Sequence, residues 1–168
     1  MLSAKLQKEL NDQMNNEFFA EYEYLSMAAY FHASNLDGIA NYFHVQAQEE
    51  HFHAMKIFHF ILDKGGKVEL QQISKPDVTF ASPVAVFEKA LAHEQKVTKS
   101  INDLMDEAIK ENDHAVNSFL KWYVDEQVEE EALASKNLGK MQIINGQGEG
   151  LLILDAEYAQ RSFTAPKG

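Results

Sequence analysis

Glu50 and His53 stand three residues apart, the spacing that lets two side chains on one helix face reach a single ion. Alone, an E-x-x-H pair is frequent by chance on charged helices. Three further carboxylates make it telling, because Glu17, Glu94 and Glu130 each interrupt an apolar series in their own segment. The first series runs Leu6, Leu10, Gln13, Glu17, Ala20, Tyr24, Met27, Phe31, at alternating steps of four and three. The second runs Ile39, Phe43, Gln46, Glu50, His53, Ile57, Phe60. The third is Val84, Phe87, Leu91, Glu94, Thr98, Ile101, Met105, and the fourth Val116, Leu120, Tyr123, Gln127, Glu130, Ala134. Such periodicity marks the inward seam of a helix. Each polar interruption falls near the middle of its segment, so the four meet at one level of a bundle. Buried carboxylates without a counter-charge are costly, and no seam offers a Lys or Arg. A metal cluster answers the demand.

Facing helices lie about 8–10 Å apart, so glutamates from opposite helices converge near the bundle axis. Two ions about 3.5–4 Å apart can share one bridging carboxylate. Oxygen donors with a single imidazole suit Fe(II) or Mn(II), with Zn(II) able to compete. The neighbouring residues read more plainly. Of Glu129, Glu130 and Glu131 only Glu130 is on a seam, and Glu126, Glu129 and Glu49 fall beside the site or on the surface by spacing alone. Tyr24 and Tyr123 read as amphipathic core residues whose hydroxyls need partners. Gln127 reads as a core amide or a weak donor beside the metal, Trp122 as helix packing, and the remaining histidines as surface or structural.

The elements that must position these groups follow from the breakers between the series. A first helix runs from a Ser3 cap to about His32, and a second from about Asp37 to Lys64, closed by Gly65-Gly66. The short link at Ser34–Asp37 makes the two antiparallel neighbours. About twenty residues follow, with Pro76 and Pro83, in which Val68-Glu69-Leu70 and Val78-Thr79-Phe80 alternate like short extended pieces. Extended chain at about 3.3 Å per residue can cross the full length of a bundle, which makes the second and third helices parallel. The third helix starts at Ser82-Pro83 and ends near Glu111, and the fourth runs from about His114 to Asn145-Gly146. A glycine-rich hinge, Gly146–Gly150, then leads into a short fifth helix, about 150–162, opening Leu151-Leu152-Ile153-Leu154. Those aliphatics need cover from the bundle or from another subunit. The expected fold class is all-α, a four-helix bundle (about 3–145) with one long crossover and a short C-terminal helix, in a single domain over 1–168.

Composition closes off other functions. A net charge of −11, with Arg161 the only arginine, speaks against nucleic acid. The absence of cysteine removes disulfides, thiolate metal sites and thiol catalysis. No stretch approaches the roughly 20 apolar residues of a membrane span, and no signal core opens the chain, so a soluble cytoplasmic protein is expected.

Over nearly its whole length the chain resembles the prokaryotic non-haem ferritins. Four long helices, the crossover, the fifth helix and the ligand spacing carry the likeness. The resemblance implies an iron-storage ferroxidase that oxidises Fe(II) with dioxygen at a dinuclear centre. It further implies storage of ferric mineral in a hollow homo-oligomer of twenty-four subunits, with the fifth helices at four-fold axes. It assigns one iron to Glu17, Glu50 and His53 and the second to Glu50, Glu94 and Glu130, with Glu50 bridging. Gln127 falls at the edge of the centre, Tyr24 is a neighbour that can donate an electron, and Trp122 lies nearby. Glu49, Glu126 and Glu129 match a third iron site. The haem-binding relatives carry a second E-x-x-H on the fourth helix, where this chain has Gln127-Val128-Glu129-Glu130, and a methionine where Phe52 stands. Haem is therefore not expected. The alternative readings are a di-iron or di-manganese carboxylate oxidase acting on an organic substrate, and a helical interaction module whose buried polar residues only set register.

Overall fold

The computed structural model describes residues 2–165, so the ends of the expected 1–168 domain lie outside the described residues. Its elements are α1 (Ala4–Ala33), α2 (Asp37–Asp63), α3 (Pro83–Lys110), α4 (His114–Ile143) and α5 (Gly148–Tyr158). The all-α fold with a crossover and a short last helix is as expected, although α5 starts two residues earlier and ends four earlier than the sequence suggested. Among the described residues no helix is long and apolar enough to cross a membrane.

Three of the four long helices begin, and all four end, for a local reason. Ser3 Oγ accepts the Leu6 amide at 3.0 Å, Ser82 Oγ the Ala85 amide at 3.1 Å, and Asp113 Oδ1 the amides of Ala115 and Val116. Such caps satisfy donors that the first turn leaves open. At the other ends the chain turns through left-handed residues, Asn35 (φ 58°), Gly65 (70°), Asn112 (57°) and Asn145 (51°). Asparagine tolerates this conformation through its short polar side chain. In each case the next amide returns to a carbonyl five residues back, as Leu36 does to Phe31 and Gly66 to Ile61.

The crossover pairs into no strand among the described residues. Its alternation has another partner. Gln7, Asn11 and Asn15, spaced four apart on α1, present amide side chains to it. Gln7 Oε1 accepts the Lys67 amide at 2.9 Å, and Asn11 accepts the Glu69 amide and donates to the Lys67 carbonyl. Asn15 repeats the pattern with Gln71 and Glu69. Ser26 then donates to the Asp77 carbonyl, so the crossover travels along α1 and delivers α3 to the end where α2 began. Parallel α2 and α3 follow from that path.

The core is divided. One apolar cluster gathers Phe31, Phe43, Phe87 and Met141 with Leu154 and Tyr158 of α5, and a second gathers Leu6, Ile57, Ile101 and Leu120. Every expected seam residue of α1 and α4 is buried. On α3 Phe87, Glu94 and Ile101 are buried as expected, but the positions between them shift by one: Ala90, Val97 and Leu104 are buried, while Leu91, Thr98 and Met105 are only partly so. The aliphatics of α5 split, with Leu154 buried and Leu152 and Ile153 exposed at 64% and 70%.

Candidate metal centre

Between the two apolar clusters lies a level of buried polar side chains: Gln13 and Glu17 from α1, Gln46, Glu50 and His53 from α2, Glu94 from α3, and Gln127 and Glu130 from α4. One ligand atom from each of Glu17, Glu50 and His53 lies within 4.8 Å of the others, so the structure brings together the set expected for the first ion. His53 Nδ1 faces Glu50 Oε2 at 3.3 Å, and its Nε2 faces Glu126 Oε1 at 4.0 Å. The Tyr123 hydroxyl donates to the His53 carbonyl at 2.7 Å, fixing that turn of α2.

Hydrogen bonds aim the other carboxylates. Gln13 Nε2 donates to Glu17 Oε1 at 2.8 Å, and Ser100 in turn donates to Gln13. The Tyr24 hydroxyl donates to Glu94 Oε1, while Gln127 Nε2 reaches Glu94 Oε2 at 3.3 Å. Gln46 Nε2 donates to Glu130 Oε2 at 3.1 Å. The set Glu50, Glu94 and Glu130 does not close into one tight group. Glu130 instead gathers with His53 and Glu126 within the same 4.8 Å. Of the residues matched to a third site, Glu126 is therefore at the centre. Glu49 is held by Arg161 at 2.7 Å, and Glu129 is exposed. Trp122 sits with its ring 5.4 Å from that of His53.

Crowding and burial oppose ionisation of Glu17, Glu50 and Glu94. Burial, reinforced by Glu50, pushes the Glu17 carboxyl up to about 8. Burial together with Glu94 and Glu130 raises Glu50 well above the usual carboxylate range. Burial and Glu130 push Glu94 up to about 7. Burial raises the Tyr24 phenol, and its carboxylate neighbours add to this. Glu17 Oε2 and His53 Nε2 are also buried with no hydrogen-bond partner. Buried acceptors of this kind are normally satisfied, and a divalent cation would satisfy both and relieve the repulsion. The donor set fits such a cation.

One buried cluster escaped the sequence reading. Glu23, beside Tyr24, is ion-paired with Lys89 at 2.7 Å and with His93 at 3.0 Å, both on α3. Burial works against both charges, yet the pairing holds Glu23 below and His93 above their usual ranges. Glu23 lies off the α1 seam, and only its packing against α3 explains a buried charge there.

Comparison with known proteins agrees with this geometry. Residues 7–144 match the family model described as Ferritin-like domain. The chain is 40% identical over 163 residues to a bacterial non-heme ferritin of Staphylococcus aureus, covering 97% of this chain and 98% of that protein. It is 41% identical to the bacterial non-heme ferritin of Staphylococcus haemolyticus over the same length. Among solved structures, the open-pore ferritin of the archaeon Archaeoglobus fulgidus superposes with a TM-score of 0.95 at 44% identity, covering 96% of this chain and all of that one. A form of the A. fulgidus ferritin engineered to be closed gives 0.96, at 44% identity, over 98% and 100% of the two chains. With its buried carboxylate level, crossover and fifth helix, the chain belongs to the ferritin family, on its prokaryotic non-haem side.

Proposed function

We propose that this chain is an iron-storage subunit that oxidises Fe(II) with dioxygen and deposits ferric mineral inside a homo-oligomeric shell of twenty-four copies. The observation that carries the reading is the buried trio Glu17, Glu50 and His53, with an oxygen and a ring nitrogen left without partners. Iron is the substrate here, and each ion gives one electron towards dioxygen. Glu17, Glu50 and His53 hold the first ion. Glu50, Glu94 and Glu130 hold the second, with Glu50 common to both. Loading displaces the protons that burial keeps on Glu17, Glu50 and Glu94. Gln13, Gln46 and Gln127 keep the carboxylates aimed while the ions come and go. The second position has no imidazole, so it binds more weakly and suits iron in transit. A third ion beside Glu126, with Glu49 and Glu129, or an electron from Tyr24, supplies further reducing equivalents.

The test joins particle mass with turnover. Light scattering after size exclusion gives the mass, and an aerobic Fe(II) oxidation trace gives the chemistry. A particle of twenty-four chains that accumulates many irons per chain supports the reading. Oxidation of an organic substrate without mineral growth, or no iron-dependent absorbance change, would overturn it.

A further inference from the structure

Arg161 is the only arginine of the chain, and its guanidinium stands where a cation is expected. It lies just beyond α5, and its Nη2 donates to Glu49 Oε2 at 2.7 Å. Both side chains are only about a fifth exposed, at 21% and 20%. An exposed ion pair of this type would contribute little, but this one is braced. The guanidinium lies over the Tyr42 ring, 4.6 Å from its centroid, and Nη1 reaches the Tyr42 carbonyl at 3.5 Å. Asn41 Nδ2 donates to the carbonyls of Tyr158 and Arg161 at 3.2 and 2.9 Å.

Helix α5 itself is anchored to the start of α2. Asp155 Oδ1 accepts the Ile39 amide at 2.8 Å, which caps α2 from another helix because Leu36 offers no side-chain cap. Gly38 makes this approach feasible, since a Cβ there would stand 1.8 Å from the Asp155 carbonyl oxygen. Contacts along α2 at Ile39, Asn41, Tyr42 and Glu49 thus run from the seat of α5 to the neighbour of Glu50. One turn further along α2, His53 Nε2 is buried, without a hydrogen-bond partner and 4.0 Å from Glu126 Oε1.

We infer that Arg161 is a built-in counter-cation that occupies Glu49, so a third metal ion and the docked tail of α5 compete for the same carboxylate. The inference rests on the proposed function, in which Glu49 and Glu126 serve a third ion. Competition is reciprocal. Whatever factor the docked tail costs the third ion, the third ion costs tail docking. A bound third ion would then loosen the segment after Tyr158 and carry a loading signal to α5.

Zn(II), which is redox-inert, is the probe, titrated by calorimetry into the intact apo protein and its Arg161→Gln and Arg161→Lys forms. The native protein should take two ions tightly and a third at least tenfold more weakly. Arg161→Gln should tighten the third about tenfold and leave the first two unchanged, while Arg161→Lys should stay near native. Amide hydrogen exchange on the native protein, which needs no variant, should rise after Tyr158 as the third equivalent is added. A third ion that binds alike in all three forms, or a tail whose exchange ignores it, would overturn the inference alone. Failure of the native chain to bind two ions tightly would overturn the proposed function and this inference together.

Discussion

Gln13 and Glu17, one turn apart on α1, share a hydrogen bond of 2.8 Å that satisfies one carboxylate oxygen, and the other oxygen stays buried without a partner. The folded Glu17 carboxyl sits near 8 against an ordinary 4.5. Between those values the folded chain holds a proton that the unfolded chain has lost. Stability must therefore fall as pH rises through that window, by up to about 1.4 kcal/mol per pH unit for one such group. Glu49 and Glu94, both near 7, act in the same direction. Calorimetric melting of the metal-free protein should show its highest Tm near the acidic end of this window and a steady decline towards its upper limit. Saturating divalent metal should flatten the decline. A melting temperature that rises over this range would contradict the buried-carboxylate picture.

Metal loading near neutral pH should release protons. Glu17, Glu50 and Glu94 all hold protons more tightly than ordinary carboxyls, and cation binding must displace them. Titrations in buffers of different ionisation enthalpy should give heats that differ, corresponding to about one to two protons per pair of ions. Glu17→Gln should lower that number as well as the affinity. Identical heats in all buffers would show that the carboxyls are already ionised.

Tyr24→Phe removes a donor to Glu94 but leaves Gln127 in place. The loss should cost about 1 kcal/mol of stability in urea titrations. Both tight ions should still bind. If Tyr24 supplies an electron, the late phase of oxidation should slow several-fold in stopped-flow traces while the first phase is unchanged. Equal slowing of both phases would make Tyr24 a positioning group for Glu94 and no more.

Asn11→Ala should be the most damaging change in the crossover ladder. Asn11 is 3% exposed and bonds the Lys67 carbonyl, the Glu69 amide and its own helix. Losing these hydrogen bonds together should cost about 1–3 kcal/mol, and exchange should speed up at the Glu69 amide. Ser26→Ala, at a partly exposed position, should stay within about 0.5 kcal/mol of native. Equal effects from both would mean that the ladder does not hold the crossover.

Much of this was readable in the chain because the signals were local. Ser3, Ser82 and the Asn112-Asp113 turn announce helix limits through groups within four residues, and Glu17, Glu50, His53 and Glu130 announce themselves by interrupting an apolar seam. The α3 seam misled. Its apolar residues come in neighbouring choices, Ala90 or Leu91 and Leu104 or Met105, so a strict four-three rhythm fits either phase. Only contact with α1 and α4 selects one. Glu23 needed the position of α3, and the Arg161–Glu49 pair spans 112 residues. The ladder of Gln7, Asn11 and Asn15 was hidden for a different reason. An alternating crossover segment looks the same whether its backbone meets a strand or a row of amide side chains.

The division of the core into two apolar clusters has a mechanical consequence. Small metal-dependent domains often owe their fold to the ion, so that removing it unravels them. Here aromatic packing grips the four helices at one end and aliphatic packing grips them at the other, like a beam clamped at both ends. On the proposed reading, the polar middle can therefore be filled and emptied while the clamps hold, so that losing the ions lowers stability without unravelling the bundle.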